Sequence, residues 1–268
     1  MALPLTGTIA VVTGASRGIG KGIALGLGEA GATVYVTGRS TDQSPGALPG
    51  TVGETAQQVT ARGGRGVAVP CDHRDDAQVH ALFEGVLREQ GRIDVLVNNA
   101  FATPEMSVLW GGGRFWEIPS ALWDDMLDVG VRSAYVASRL AVPAMIEQGG
   151  GIILNISSPA ATTPKSEKSR VVLPYSVGKA ALHRLTSDMA VELRDKNIAV
   201  IEVWPPATKI EAVLAEPQRF GDLSGWREPV YTGRALAKLL AGEGEAMRRS
   251  GQTLAIENLA SEFGVAPA

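Results

Sequence analysis

The run Thr13-Gly14-Ala15-Ser16-Arg17-Gly18-Ile19-Gly20 follows the short apolar stretch Thr8–Val12 and opens a helical pattern over Gly18–Ala30. Glycines at that junction commit the chain to a strand–turn–helix unit. Gly14 permits the tight turn, Gly18 lets backbone approach an anion, and Gly20 allows close helix packing. Free N–H groups and the helix dipole then favour a pyrophosphate. A glycine-rich connector without ligand is the plain alternative. A methyltransferase also places glycines after its first strand.

The rest of the chain repeats the unit. Strands are expected at Thr33–Thr37, Gly66–Val69, Asp94–Val97, Ile152–Ile156, Ile198–Val203 and Thr253–Ile256. Helices are expected at 51–62, Asp75–Gln90, Pro119–Gln148, Tyr175–Leu193 and 231–241, with Gly31 marking the end of the first. Residues 40–50, STDQSPGALPG, read as a turn-rich loop longer than is usual between such elements. Strands without alternation, separated by helices, predict an α/β fold: one doubly wound, Rossmann-type parallel sheet with helices on both faces. No linker or repeat divides residues 1–268, so one domain is expected.

Composition narrows the function. Twenty-five basic and 28 acidic residues give a net charge of −3, which points to neither nucleic acid nor a membrane surface. Cys71 is the only cysteine, which favours a reducing compartment. The start MALPLTGTIAVV does not read as a signal peptide, and no apolar run reaches the length of a membrane span. A cytoplasmic protein is expected. His73, His80 and His183 are the only histidines and have no metal-ligand spacing, so no metal is expected. His73 and His80 read as solvated or helix-start residues.

Tyr175 and Lys179, in VVLPYSVGKAAL, share a helix face at their spacing. An ammonium beside the phenol favours its ionised form and lowers a pKa of about 10 toward the range useful for proton exchange. With a dinucleotide on the glycine turn, a hydride can move while the tyrosine handles the proton. Cofactor choice falls to the end of the second strand, VYVTGRS. A carboxylate there would bond the ribose of NAD, but Gly38 stands in its place and Arg39 follows. Arg17 adds a second guanidinium, so NADP(H) is expected. Asp72 is placed either against the adenine or at a helix N-cap.

Together TGASRGIG, NNA at 98–100, ISS at 156–158 and Tyr175-x-x-x-Lys179 resemble the short-chain dehydrogenase/reductase family, over Thr8 to about Gly251. NNAF, RFWEIPSALWDDM and ISSP resemble one branch of it. The resemblance implies Tyr175 as general acid/base and Lys179 as the cation that lowers its pKa and holds the nicotinamide ribose. It implies Ser158, in preference to Ser157, on the substrate oxygen. The cofactor positions it carries over are Gly14, Ser16, Arg17, Gly18, Ile19, Gly20, Arg39, Asp72, Asn98, Ala100, Tyr175, Lys179, Pro205 and Thr208. It implies a small-molecule carbonyl or alcohol substrate, with reduction the expected direction. It also implies a homodimer or homotetramer formed through the helices near 119–148 and 175–193.

The chain departs from the family in two places. Asp128-Val129-Gly130 stands where the family has an Asn that helps connect the Lys to solvent; a relay through the Gly130 backbone is expected instead. WPPATKIE at 204–211 stands for Pro-Gly-x-x-x-Thr, which puts Pro206 at the glycine and Ile210 at the threonine, with Thr208 as the substitute. The separation of Ser158 and Tyr175 is also longer than the family's, and ATTPKSEKSRVVLP is expected to form a rim loop. Phe101, Trp110, Phe115, Trp116 and Trp226 are expected to wall an apolar substrate pocket, or else to be core or subunit contacts. A cofactor-binding sensor or scaffold without catalysis is the alternative from another functional class.

Overall fold

The computed structural model describes residues 2–44, 46–102, 106–111, 113–164 and 171–267. Seven strands, β1 (Ile9–Val12), β2 (Thr33–Gly38), β3 (Arg65–Pro70), β4 (Val95–Asn98), β5 (Gly151–Ile156), β6 (Ile198–Trp204) and β7 (Thr253–Ala255), lie in the order β3-β2-β1-β4-β5-β6-β7. Every neighbouring pair is parallel. The order reverses between β1 and β4, which opens a crevice beyond the carboxyl ends of the strands. The α/β, doubly wound expectation is therefore met.

Alternate residues of each strand feed two apolar layers, which is why the strands read as unbroken apolar runs. Val12, Val34, Val97, Leu154 and Ile201 pack on one face with Ile23 and Leu27 of the first helix, Gly18–Glu29, and Leu236 of the helix Pro229–Ala241. Val11, Leu96, Ile153 and Val200 pack on the other with Leu82 and Val86 of the helix Asp76–Gln90 and Met145 of the helix Ser133–Glu147. The first helix and the helix Pro229–Ala241 meet backbone to backbone. A Cβ added at Gly26 would lie 2.3 Å from the Gly233 carbonyl carbon, and one at Gly22 would lie 2.0 Å from the Pro229 oxygen.

Several boundaries differ from those expected. The long helix expected over 119–148 is Ser120–Leu127 and Ser133–Glu147 joined by a five-residue π-turn, Asp128–Arg132, which contains Gly130. A glycine with no side chain to pack lets the helix widen there. The helix carrying Tyr175 begins earlier, at Leu173, with Pro174 in its first turn. β7 stops at Ala255, where a helix Ile256–Glu262 takes over. Part of the expected rim loop, 165–170, lies outside the described residues. Among the described residues, no helix is long and apolar enough to cross a membrane.

Candidate active site

The glycine turn sits at the top of β1. Gly14 and Gly18 both have positive φ, +63° and +62°, a region that disfavours side chains. The end of β4 fixes the turn. Thr13 Oγ1 donates to the Val97 carbonyl at 3.2 Å and accepts from the Asn99 and Ala100 N–H groups, each at 2.9 Å. Asn99 Nδ2 donates to the carbonyls of Thr13 and Gly14 at 2.8 and 3.0 Å. Asn98, the residue chosen from the sequence, points into the sheet and donates to Ser138 and Asn155 at 3.0 and 2.8 Å. Its neighbour Asn99 is the one that reaches the turn; the NNA triplet signalled both.

A cavity of about 640 Å³ opens above the turn. Of the residues named from the sequence, Gly14, Ser16, Arg17, Gly18, Ile19, Arg39, Asp72 and Ala100 line it; Gly20, Asn98, Ser158, Tyr175, Lys179, Pro205 and Thr208 do not. Gly20 contributes through packing: a Cβ there would meet the Gly14 carbonyl at 2.5 Å. Ser40, Cys71, His73, Asn99 and Glu211 also line the cavity and were not assigned to it from the sequence.

The far end of the cavity is cationic. Arg17 donates to the Pro49 and Gly50 carbonyls and to Ser40 Oγ at 2.9, 2.8 and 2.9 Å, so it ties down the 40–50 loop. Burial holds its guanidinium below the ordinary value; the Glu211 charge works against that shift and the Arg39 charge with it. Arg39 itself is exposed. Asp72 accepts from the Arg74 N–H at 3.0 Å, while Asp75 caps the following helix through Ala77 and Gln78, which removes the N-cap alternative for Asp72. His73 corrects the sequence reading: it is 5% exposed, with Nε2 2.8 Å from Thr37 Oγ1. Burial pushes its imidazole down to about 4. Burial likewise pushes the Cys71 thiol up to about 12, which leaves it inert at neutral pH.

Ser158, Tyr175 and Lys179 come together beyond the end of β5. Ser158 Oγ accepts from the Ala160 N–H at 3.3 Å and lies close enough to Tyr175 to favour its ionised form. Ser157 is buried, and its Oγ has no partner among the described residues. Lys179 Nζ donates to the Ile156 carbonyl at 2.9 Å and lies 5.7 Å from the centre of the Tyr175 ring and 5.1 Å from that of Phe101. The expected lowering of the phenol by Lys179 is not found here. Burial holds Tyr175 above the ordinary tyrosine value, with Ser158 acting the other way. The ammonium faces ring and carbonyl, and burial pulls Lys179 itself down to about 8, against an opposing charge on Glu202.

The segment after β6 reaches the glycine turn. Thr208 Oγ1 is committed to the Pro206 carbonyl at 2.7 Å. Ile210 and Glu211 line the cavity instead, and Glu211 Oε2 accepts from the Gly18 N–H at 2.7 Å. A third apolar cluster covers Tyr175, with Phe101, Trp110, Phe220, Leu223 and Trp226 packed around Leu109, Val172 and Val213. Phe101 meets Tyr175 edge to face at 5.6 Å, and Phe220 bridges Trp110 and Trp226. Phe115 and Trp116, expected in this wall, are 63% and 64% exposed and meet each other edge to face.

The short chain dehydrogenase family model matches residues 8–218. Dehydrogenase/reductase SDR family member 1 of Mus musculus is 39% identical over 99% of this chain and 84% of its own length. Hydroxysteroid dehydrogenase-like protein 2 of Danio rerio is 36% identical over 75% of this chain and 46% of its own. Among solved structures, a short chain dehydrogenase from Mycobacterium thermoresistibile superposes with a TM-score of 0.81 at 29% identity, covering 97% of this chain and 88% of that one. A Beutenbergia cavernae structure with bound NADP, described as an NAD(P)-dependent gluconate 5-dehydrogenase, gives 0.77 at 30% identity over 94% and 96%.

Proposed function

The chain belongs to the short-chain dehydrogenases, and from that premise we propose that it is an NADP(H)-dependent oxidoreductase that interconverts a carbonyl and an alcohol on a small molecule. The observation that carries the reading is Ser158 acting on the Tyr175 phenol, with Lys179 in the next helical turn, beside a glycine-lined cavity at the carboxyl ends of the strands. The cavity fits a dinucleotide. Its floor is backbone without Cβ at Gly14 and Gly18, and two guanidiniums stand at the end where a 2′-phosphate would lie. A nicotinamide held there would supply or accept the hydride.

Tyr175 donates its phenolic proton to the oxygen that gains charge during reduction, and takes it back in the reverse reaction. Ser158 hydrogen-bonds that same oxygen and stabilises its developing charge. Lys179 adds positive charge beneath both groups. Phe101, Trp110, Phe220 and Trp226 exclude water from one side and select an apolar substrate body. Arg39 and Arg17 favour NADP(H) over NAD(H). Trp123 on the helix Ser120–Leu127, Tyr135 and Ile146 on Ser133–Glu147 and Val191 on Leu173–Glu192 expose large apolar area, which suits a homo-oligomer formed along them. Light scattering that finds only monomer would remove the last element. The reading as a whole is tested by incubating the protein with NADPH and aldehydes, ketones and quinones while following loss of reduced-cofactor absorbance. Turnover that NADH supports poorly is expected; NADPH binding without turnover on any of them would oppose it.

A further inference from the structure

Asn98, Asn155, Glu202 and Thr253 stand in register across β4, β5, β6 and β7, each the Cα partner of the next. Partners in register project to the same face. The result is a polar row at the carboxyl end of a layer otherwise built from residues such as Leu96, Ile153 and Val200. Asn98 donates to Asn155, and Asn155 to Thr186 Oγ1 at 2.9 Å. The one acid in the row, Glu202, is 1% exposed. Its Oε2 accepts from Thr253 Oγ1 at 2.5 Å and lies 2.7 Å from Nδ1 of His183, whose side chain is 41% exposed. Its Oε1 is buried with no hydrogen-bond partner among the described residues.

A buried carboxylate with one unpaired oxygen is costly unless a nearby cation compensates it. His183 does so only when protonated; Lys179 is the other cation on that helix whose charge acts on Glu202. It lies one turn before His183 on the same helix face. Its Nζ bonds the carbonyl of Ile156, the residue after the one that pairs with Glu202. We propose that Glu202, held by His183 and Thr253, is the counter-charge that keeps the Lys179 ammonium protonated, and so a positioning residue for the Tyr175–Lys179 pair. The proposal rests on the catalytic reading of that pair given above. It agrees with the opposition between burial and Glu202 at Lys179.

Among the described residues, Glu202 is the acid that bears on Lys179; on the helix Ser120–Leu127, packed against its own, Asp124 is exposed and Asp125 pairs with Arg74. Lys179 faces the rings of Phe101 and Tyr175. On the π-turn packed against its helix, Asp128 is exposed and Arg132 pairs with Asp76. Arg184 pairs with Asp188 on the exposed side of the same helix. The helix Glu245–Arg248 packs on β6, but Glu245, Arg248, Arg249 and Glu262 pair among themselves.

The test is a lysine titration by NMR on protein labelled with 13C at its seven lysines, with Lys179 assigned by the signal lost in Lys179→Met. In Glu202→Gln its midpoint is expected to fall by about one pH unit, the low end of the range for a nearby opposite charge. An unmoved midpoint in a folded variant overturns the proposal. If Glu202→Gln does not fold, Glu202→Asp decides: it keeps the charge but draws it back by one methylene, so the Lys179 midpoint should fall by a smaller step, and an unmoved midpoint overturns the proposal. The alkaline limb of kcat/KM should move to lower pH with the NMR midpoint; turnover whose limb stays put while the midpoint moves overturns the positioning role. A moved midpoint in a protein without turnover on any substrate supports the counter-charge and counts against the oxidoreductase reading alone.

Discussion

The Glu211 carboxylate accepts a hydrogen bond from the Gly18 N–H at 2.7 Å, so an acid from the segment after β6 rests on the anion-seeking end of the first helix. A pyrophosphate placed on the glycine turn must displace it. Glu211→Gln is therefore expected to bind NADPH about three- to tenfold more tightly, on the order of 1 kcal/mol. Fluorescence titration of NADPH measures it, and weaker binding would mean that Glu211 helps hold the cofactor.

Tyr175→Phe keeps the ring that packs against Phe101 and removes only the proton donor. Turnover is expected to fall by about 100-fold or more, the usual contribution of a positioned acid/base, while the Kd for NADPH changes little. Activity within tenfold of wild type would assign the proton to another group.

Arg39 is exposed at the cationic end of the cavity, whereas Arg17 also anchors the 40–50 loop. Arg39→Ala is thus the cleaner variant. It is expected to cost about tenfold or more in kcat/KM for NADPH and little for NADH, because a charge-assisted bond to phosphate is lost. Equal losses with both cofactors would place the 2′-phosphate elsewhere.

His73 stays neutral in the folded chain down to about pH 4. The unfolded chain takes up that proton near its ordinary value of about 6.5. Between those values the unfolded state binds more protons, so stability falls as pH drops through this window. His73→Gln should flatten the decline in Tm between pH 6.5 and 4, read by scanning calorimetry; an unchanged slope would assign it to other groups.

Gly26→Ala puts a methyl group into the Gly233 backbone. Overpacking of this kind costs about 1–3 kcal/mol or more, and Tm is expected to fall by roughly 3–10 °C. Gly85→Ala, which would meet nothing closer than the end of the Arg88 side chain at 3.8 Å, is the control.

Much of the fold was legible because a sheet buried on both faces writes each strand as an apolar run, and the glycine turn marks β1 without reference to anything distant. The site was legible where it is local: Tyr175 and Lys179 share a helix, and the turn glycines are contiguous. It was obscure where side chains arrive from elsewhere. His73 read as solvated because its burial depends on Thr37 in β2. Glu211 lines the cavity through a bond to Gly18, far from it in sequence. Phe115 and Trp116 carry the residue type of a wall but not its position, since aromatic identity says nothing about which way a loop turns. The effect of Lys179 on Tyr175 was inferred from spacing alone, and spacing does not reveal that the ammonium is held by the Ile156 carbonyl.

The seam of glycines between the first helix and the helix Pro229–Ala241 has a temporal consequence. The two strips of backbone that close against each other are made at opposite ends of synthesis, with nearly the whole chain between Gly26 and Gly233. At ordinary elongation rates the first helix leaves the ribosome roughly 10–40 s before its mate exists. Throughout that interval Ile23 and Leu27 have only part of their cover. Nascent chains halted before residue 229 should therefore be protease-sensitive in the first helix and attractive to chaperones, although six of the seven strands have already been synthesised.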